Sequence, residues 1–166
     1  MKVLYILLVL CLTSCINDDV EATVERVAVG DALPAFSVTT TDGTPFSTAT
    51  KHERPVMILF FVTTCKDCQK FLPLVDQLWR EQQPTPSFDL IAIGREESAS
   101  DVTSYWQKND YGIPVSPQQD RTIFSLFASQ DVPRLYITTP DLRVTHVFTP
   151  STLPTLTQLR EIVQGW

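Results

Sequence analysis

Glycine is scarce in this sequence, and positive charge is outnumbered by negative. Five glycines in 166 residues exclude collagen-like and glycine-rich low-complexity classes. The 13 Lys+Arg are scattered singly against 19 Asp+Glu, for a net charge of −6. That leaves no clustered cationic surface of the kind a phosphate backbone requires, so no nucleic-acid partner is expected. No apolar run approaches the roughly 20 residues of a bilayer-spanning helix, which excludes the polytopic membrane class. What is present is a globular composition, 43% hydrophobic and 19% charged, at a length that suits one domain with a sizeable core. Four cysteines remain to be accounted for by their spacing.

The chain begins Met1-Lys2 and continues with an almost wholly apolar run over residues 3–12, then Thr13-Ser14-Cys15. One cation, about ten apolar residues and small residues, in that order, make a secretory signal. Leu12-Thr13-Ser14-Cys15 resembles the bacterial lipobox, whose Cys is acylated and becomes the first residue of the mature chain. An ordinary signal cut nearby and an uncleaved anchor are the plainer readings. The expected organisation is a lipoprotein signal peptide over 1–14, an acidic flexible tether over 15–27 and one domain over 28–166. Cleavage before Cys15 removes Lys2 and Cys11 and no acid, moving the charge from −6 to −7. Cys15 is then the lipid anchor, and only Cys65 and Cys68 remain as thiols, in a compartment where disulfides persist.

From Gly30 onward strand and helix signals alternate, which predicts an α/β domain. Residues 35–39 alternate and meet the turn Thr41-Asp42-Gly43-Thr44, a hairpin completed by Pro45-Phe46-Ser47. The continuous apolar run over 56–62 reads as a strand covered on both faces, at the centre of the sheet. After Cys68, apolar residues at 71, 72, 75, 78 and 79 lie on one helical face, and Pro73 is expected to kink that helix. A second buried strand is expected over 88–94, followed by Glu96-Glu97 as a solvated turn. A helix is expected from Ser98 to about Asn109, a short extended piece over 111–115, and a short helix over 120–128 with Ile123, Phe124 and Phe127 inward. Residues 134–138 and 143–148 form a terminal hairpin, and an amphipathic helix over 153–163 closes the chain. The aromatics fall on these core faces and are read as packing.

A strand running directly into Thr63-Thr64-Cys65-Lys66-Asp67-Cys68 and then a helix has a chemical consequence. The first Cys stands at a helix N-terminus, where free N–H groups and the dipole favour a thiolate, so Cys65 is expected to have a lowered pKa and to be the nucleophile. Cys68, one turn on, faces inward at a separation that suits a disulfide. Cys65 can then attack a substrate disulfide, and Cys68 can release it from the mixed disulfide.

From about Gly30 to the C-terminus the chain resembles the thioredoxin superfamily, specifically the membrane-tethered TlpA-like thiol-disulfide oxidoreductases. The resemblance rests on the apolar strand, the Cys65-x-x-Cys68 pair with Pro73 five residues later, and Val132-Pro133-Arg134 entering a strand. The Gly30–Phe36 segment and the Asp42-Gly43 turn resemble an N-terminal hairpin shared with peroxiredoxins. It implies a thioredoxin-like fold, a central mixed sheet flanked by helices with a hairpin extension. It also implies a cis Pro133 that packs against the active-site disulfide and helps position substrate. Thr64, Lys66, Asp67, Val132 and Arg134 are the further candidate positioning residues. Implied partners are protein thiols and disulfides of the cell envelope and a membrane electron donor or acceptor. The lipid anchor would hold the domain to the membrane, facing the periplasm; no cofactor and no metal are implied.

Three departures from the family pattern stand out. Lys66-Asp67 replaces the usual x-Pro, putting a cation beside Cys65 and an anion beside Cys68, with opposite effects on a thiolate. The buried acid often found six residues before the first Cys or three after the second is absent, those positions being Leu59 and Phe71. Arg134 stands where Thr is frequent; it either stabilises the Cys65 thiolate or is a solvated strand-end cation. Other functions are weaker. A zinc site needs four ligands, and His52 and His146 are the only histidines to complete one. A copper-binding or non-catalytic thioredoxin-fold lipoprotein stays open as an alternative. A thiol peroxidase would carry Pro and Thr seven and three residues before its Cys, where Ile58 and Val62 stand. The reading is an extracytoplasmic, lipid-anchored thiol-disulfide oxidoreductase, leaning by analogy towards a reductase.

Overall fold

The computed structural model describes residues 23–166; the expected signal peptide and Cys15 lie outside the described residues. Strand β3 (Val56–Phe61) is buried at all six positions and stands in the middle of a five-stranded sheet. Its neighbours are β4 (Asp89–Arg95), β5 (Val115–Gln118), β6 (Arg134–Thr138) and β7 (Val144–Phe148), in the order β5-β4-β3-β6-β7. β3 runs parallel to β4 and β4 to β5, while β6 and β7 are antiparallel to their neighbours. The sheet is therefore mixed. Two further strands, β1 (Ser37–Thr39) and β2 (Pro45–Ser47), form a separate hairpin whose turn takes Gly43 at φ 88°, a backbone conformation that glycine reaches without strain.

Connectivity decides which face the helices cover. The crossovers β3-α1-β4 and β4-α2-β5, through α1 (Lys66–Glu81) and α2 (Ala99–Asn109), step in the same direction across the sheet. Right-handed crossovers then place both helices on one side. There Phe71, Leu72, Val75 and Leu78 of α1 and Val102 and Trp106 of α2 pack on Met57, Leu59 and Phe61 of β3. The last helix, α3 (Leu156–Gln164), adds Leu159 and Val163 to that layer and starts with a Thr155/Gln158 capping box, which satisfies its first free N–H groups. The other residues of β3, Val56, Ile58 and Phe60, face a second core built with Val27, Phe36, Val38, Phe124 and Phe127. Strand alternation divides the two layers.

Some expectations shift. Residues 120–128 hold a single 3-10 turn (Phe124–Leu126) rather than an α-helix. Phe124 and Phe127 are buried while Ile123 is only half-buried, and an i, i+3 pair of inward aromatics is the spacing of a 3-10 turn. The last parallel strand starts at Val115, where the expected extended piece ended. Glu97 is buried, not solvated. The tether boundary also moves. Glu25 bridges to Ala128, the Arg26 N–H donates to the Phe127 carbonyl at 2.9 Å, and Val27 is buried. Residues 23–27 therefore belong to the domain. Their acids read as solvated only because the partner of Glu25, Arg134, is 109 residues away.

Candidate active site

Register explains the meeting of residues distant in sequence. Phe60 pairs with Arg134 across β3 and β6, so the chain leaving β3 at Val62 lies beside the chain entering β6 at Val132-Pro133. Phe61 pairs with Gly94 on β4, which brings Arg95 and the loop after it to the same edge. The carboxyl ends of parallel strands thus converge where the cysteines sit, the usual place for a site in an open α/β sheet.

Cys65 is the N-cap of α1, with extended φ −75° and ψ 121°. Its Sγ accepts the Cys68 N–H at 3.5 Å and donates to the Val132 carbonyl at 3.4 Å. The sulfur is thereby placed against the free N–H groups and positive end of the helix. The Val132–Pro133 peptide is cis, and Asp131 before it takes φ 65°, a left-handed conformation that Asp tolerates better than most residues. Cys65 is half-buried and Cys68 fully buried, both as free thiols.

That difference in exposure separates the two sulfurs chemically. Burial pushes the Cys68 thiol up and the neighbouring Cys65 sulfur adds to the push; a backbone hydrogen bond from Val62 and the Arg95 guanidinium oppose it. A thiol raised in the fold and near 9.0 when unfolded leaves the folded state holding more protons at high pH. The stability it confers is complete below about pH 9 and is lost as pH rises further. The reduced protein is expected to lose more stability between pH 8 and 10 than its Cys68→Ala variant, by up to about 1.4 kcal/mol per pH unit. Urea unfolding at both pH values measures this; identical losses would refute it.

Two residues that sequence reasoning passed over shape the site. Glu97 turns back over the strand end, and its carboxylate accepts the Thr63 N–H at 2.5 Å and the Thr63 hydroxyl at 3.0 and 3.1 Å. The Thr63 carbonyl accepts from Gln69 Nε2 at 2.9 Å. The loop leading to Cys65 is thus tied on both sides of Thr63. The approach of Glu97 depends on Gly94, where an added Cβ would stand 3.1 Å from the Glu97 Cβ. Arg95 is the other; its guanidinium lies 4.9 Å from the centre of the Phe124 ring. Together with Arg121, Thr64, Cys65, Asp131 and Val132 it lines a cleft of about 550 Å³. The available signal was positional: Gly94-Arg95-Glu96-Glu97 ends a buried parallel strand next to the cysteine strand.

The remaining candidates divide. Thr64 and Val132 line the cleft with Cys65. Lys66 and Asp67 are exposed, and Asp67 pairs with Lys70 at 3.0 Å, so that acid has its own counter-ion on the helix surface. Arg134 is neither of the things expected of it. It is 1% exposed, donates to the Gln130 and Asp131 carbonyls and pairs with Glu25 Oε2 at 2.6 Å. Strand parity turns it onto the sheet face opposite α1, with Tyr136. His52 uses both ring nitrogens, towards Asp89 at 2.8 Å and the Ser47 carbonyl at 2.9 Å. Among the described residues no group of three or more His, Cys, Asp or Glu side chains gathers.

A half-buried cysteine at the start of the helix that follows the central strand, its partner buried one turn on, and a cis proline opposite define a thioredoxin-like domain. The chain belongs to the AhpC/TSA family, whose profile matches residues 29–151. It is similar to the thiol-disulfide oxidoreductase ResA of Bacillus cereus (strain ZK / E33L), 23% identical over 120 residues, which are 72% of this chain and 69% of that protein. Two solved structures share the fold. One is a thiol:disulfide interchange protein of the thioredoxin family from Chlorobium tepidum TLS, with TM-score 0.70 and 21% identity over 84% of this chain and 97% of that one. The other is a secreted disulfide oxidoreductase from Mycobacterium tuberculosis, with TM-score 0.66 and 19% identity over 79% and 96%.

Proposed function

We propose that this protein is an extracytoplasmic thiol-disulfide oxidoreductase, anchored to the membrane through a lipid on Cys15, that exchanges disulfides with proteins of the cell envelope. The observation that carries the reading is the unequal placing of the two thiols, Cys65 half-buried in an open cleft and Cys68 fully buried behind it. Similarity to ResA, itself named a thiol-disulfide oxidoreductase, and the sequence of residues 1–15 support it. Acting as a reductase, the Cys65 thiolate attacks one sulfur of the substrate disulfide, forming a mixed disulfide and releasing the other sulfur as a thiolate, which takes up a proton. Cys68 then loses its proton and attacks Cys65 Sγ. The second substrate thiol leaves, and two electrons have passed from the Cys65/Cys68 pair to the substrate. An electron donor at the membrane restores the dithiol. Val132, whose carbonyl accepts from the Cys65 thiol, and Pro133 after it position the substrate chain, with Thr64 lining the same cleft.

Cys68→Ser removes the resolving thiol and leaves the attacking one. Mixed disulfides on Cys65 are expected to accumulate in cells and to disappear on reduction, as read by non-reducing electrophoresis and mass spectrometry. A variant that traps no partner while the folded protein retains stoichiometric copper or zinc would replace this reading with the metal-binding one.

A further inference from the structure

The cleft beside Cys65 carries a charge pattern that the exchange chemistry does not require. Arg95 and Arg121 both line it, and both guanidiniums lie against the same ring, 4.9 and 5.7 Å from the centre of Phe124. Like charges held this close repel; Arg121 also donates to the Ser129 carbonyl, a partner that carries no formal charge. One oxygen of Glu96 serves both, 3.5 Å from Arg95 Nε and 3.7 Å from Arg121 Nη1, too far for a strong hydrogen bond to either. Arg95 Nε is buried and has no hydrogen-bond partner among the described residues. Burial first and the neighbouring Arg121 second disfavour the charged form of Arg95, against smaller opposing effects of Glu96, Cys68 and Asp131. The one acid in the cleft lining, Asp131, accepts from the Thr23 hydroxyl; its charge favours the guanidinium of Arg95 from a distance, but among the described residues it makes no direct ion pair with either arginine. On a molecule of net charge −6, the reacting sulfur therefore stands beside an under-paired cationic pair.

We propose that this cleft selects disulfides carrying a carboxylate next to the reacting cysteine. The inference rests on the redox reading above and names the substrate class of the same site. A guanidinium fork matches a carboxylate in two parallel hydrogen bonds, and a substrate acid would relieve the Arg95–Arg121 repulsion that the free protein bears. The same field steers acidic segments to the sulfur during encounter, an effect that salt weakens.

The test uses the full-length reduced protein and three disulfide-linked peptide dimers, identical except for Glu, Gln or Lys beside the Cys. Released peptide thiol is followed at low and high ionic strength. The Glu peptide is expected to react roughly tenfold faster than the Lys peptide at low salt, with the ratio narrowing at high salt. Arg121→Gln and, separately, Arg95→Gln are expected to cut that ratio to about threefold or less. Lys51→Gln removes the same unit of charge from an exposed loop before β3, at the other end of the sheet, and is expected to keep it. Equal rates for the three peptides in the wild type, or an unchanged ratio in both Arg variants, overturns charge selection and leaves the redox reading standing. No exchange with any peptide overturns the redox reading and charge selection with it.

Discussion

Replacing Cys65 by Ser is expected to slow exchange with a peptide disulfide by about a thousandfold or more, while the folded structure is retained. A hydroxyl at this N-cap still accepts the helix N–H, so the substitution removes the nucleophile and leaves α1 capped. Cys68 cannot take over. It has no exposed surface, and its thiol is pushed up by burial, so it offers neither access nor thiolate. The contrast with Cys68→Ser is what gives the result its meaning. Loss of Cys68 leaves the first attack intact and stalls the product on Cys65; loss of Cys65 prevents any attack. Rates from stopped samples of released thiol, with circular dichroism to establish folding, measure both. Comparable activity in Cys65→Ser and the wild type would remove Cys65 from the mechanism.

The second large effect is on stability. Glu25→Ala is expected to cost about 3 kcal/mol, towards the lower end of what breaking a buried pair costs, because Glu25 is itself 44% exposed. The cause is the partner left behind. Arg134 is 1% exposed, and without Glu25 its guanidinium keeps, among the described residues, the Gln130 and Asp131 carbonyls as acceptors. Adding Arg134→Met is expected to recover much of the loss, since an apolar side chain in that place carries no uncompensated charge. Urea midpoints of the two variants against the wild type decide it. A Glu25→Ala protein as stable as the wild type would mean that the Glu25–Arg134 pair contributes nothing to stability.

The elements that sequence disclosed are those whose burial is set locally. Six consecutive apolar residues over 56–61 read as a strand covered on both faces, and every one of them is buried. The helical spacing after Cys68 gave the inward face of α1, and Cys65 as its first capping residue followed from the strand-to-helix junction. What escaped notice depended on register and on contacts between distant segments. Arg134 was placed by the solvent-or-site logic of a strand end, but its pairing with Phe60 turns it away from the helix layer and towards Glu25. Glu97, beside Glu96, has the look of a solvated turn. Only Gly94, whose missing side chain lets the loop fold back, brings its carboxylate onto Thr63. Arg95 and Arg121 are 26 positions apart and meet because β4 ends next to the 3-10 turn, a juxtaposition with no local signature.

Equilibrating the full chain with glutathione buffers of graded redox potential, quenching with an alkylating agent and counting modified thiols at Cys65 and Cys68 tests the proposed chemistry most directly. The expected result is a reversible transition in which both thiols disappear together, with the tenfold spacing of about 30 mV that a two-electron couple requires. Two cysteines that stay alkylatable at every glutathione ratio would contradict it.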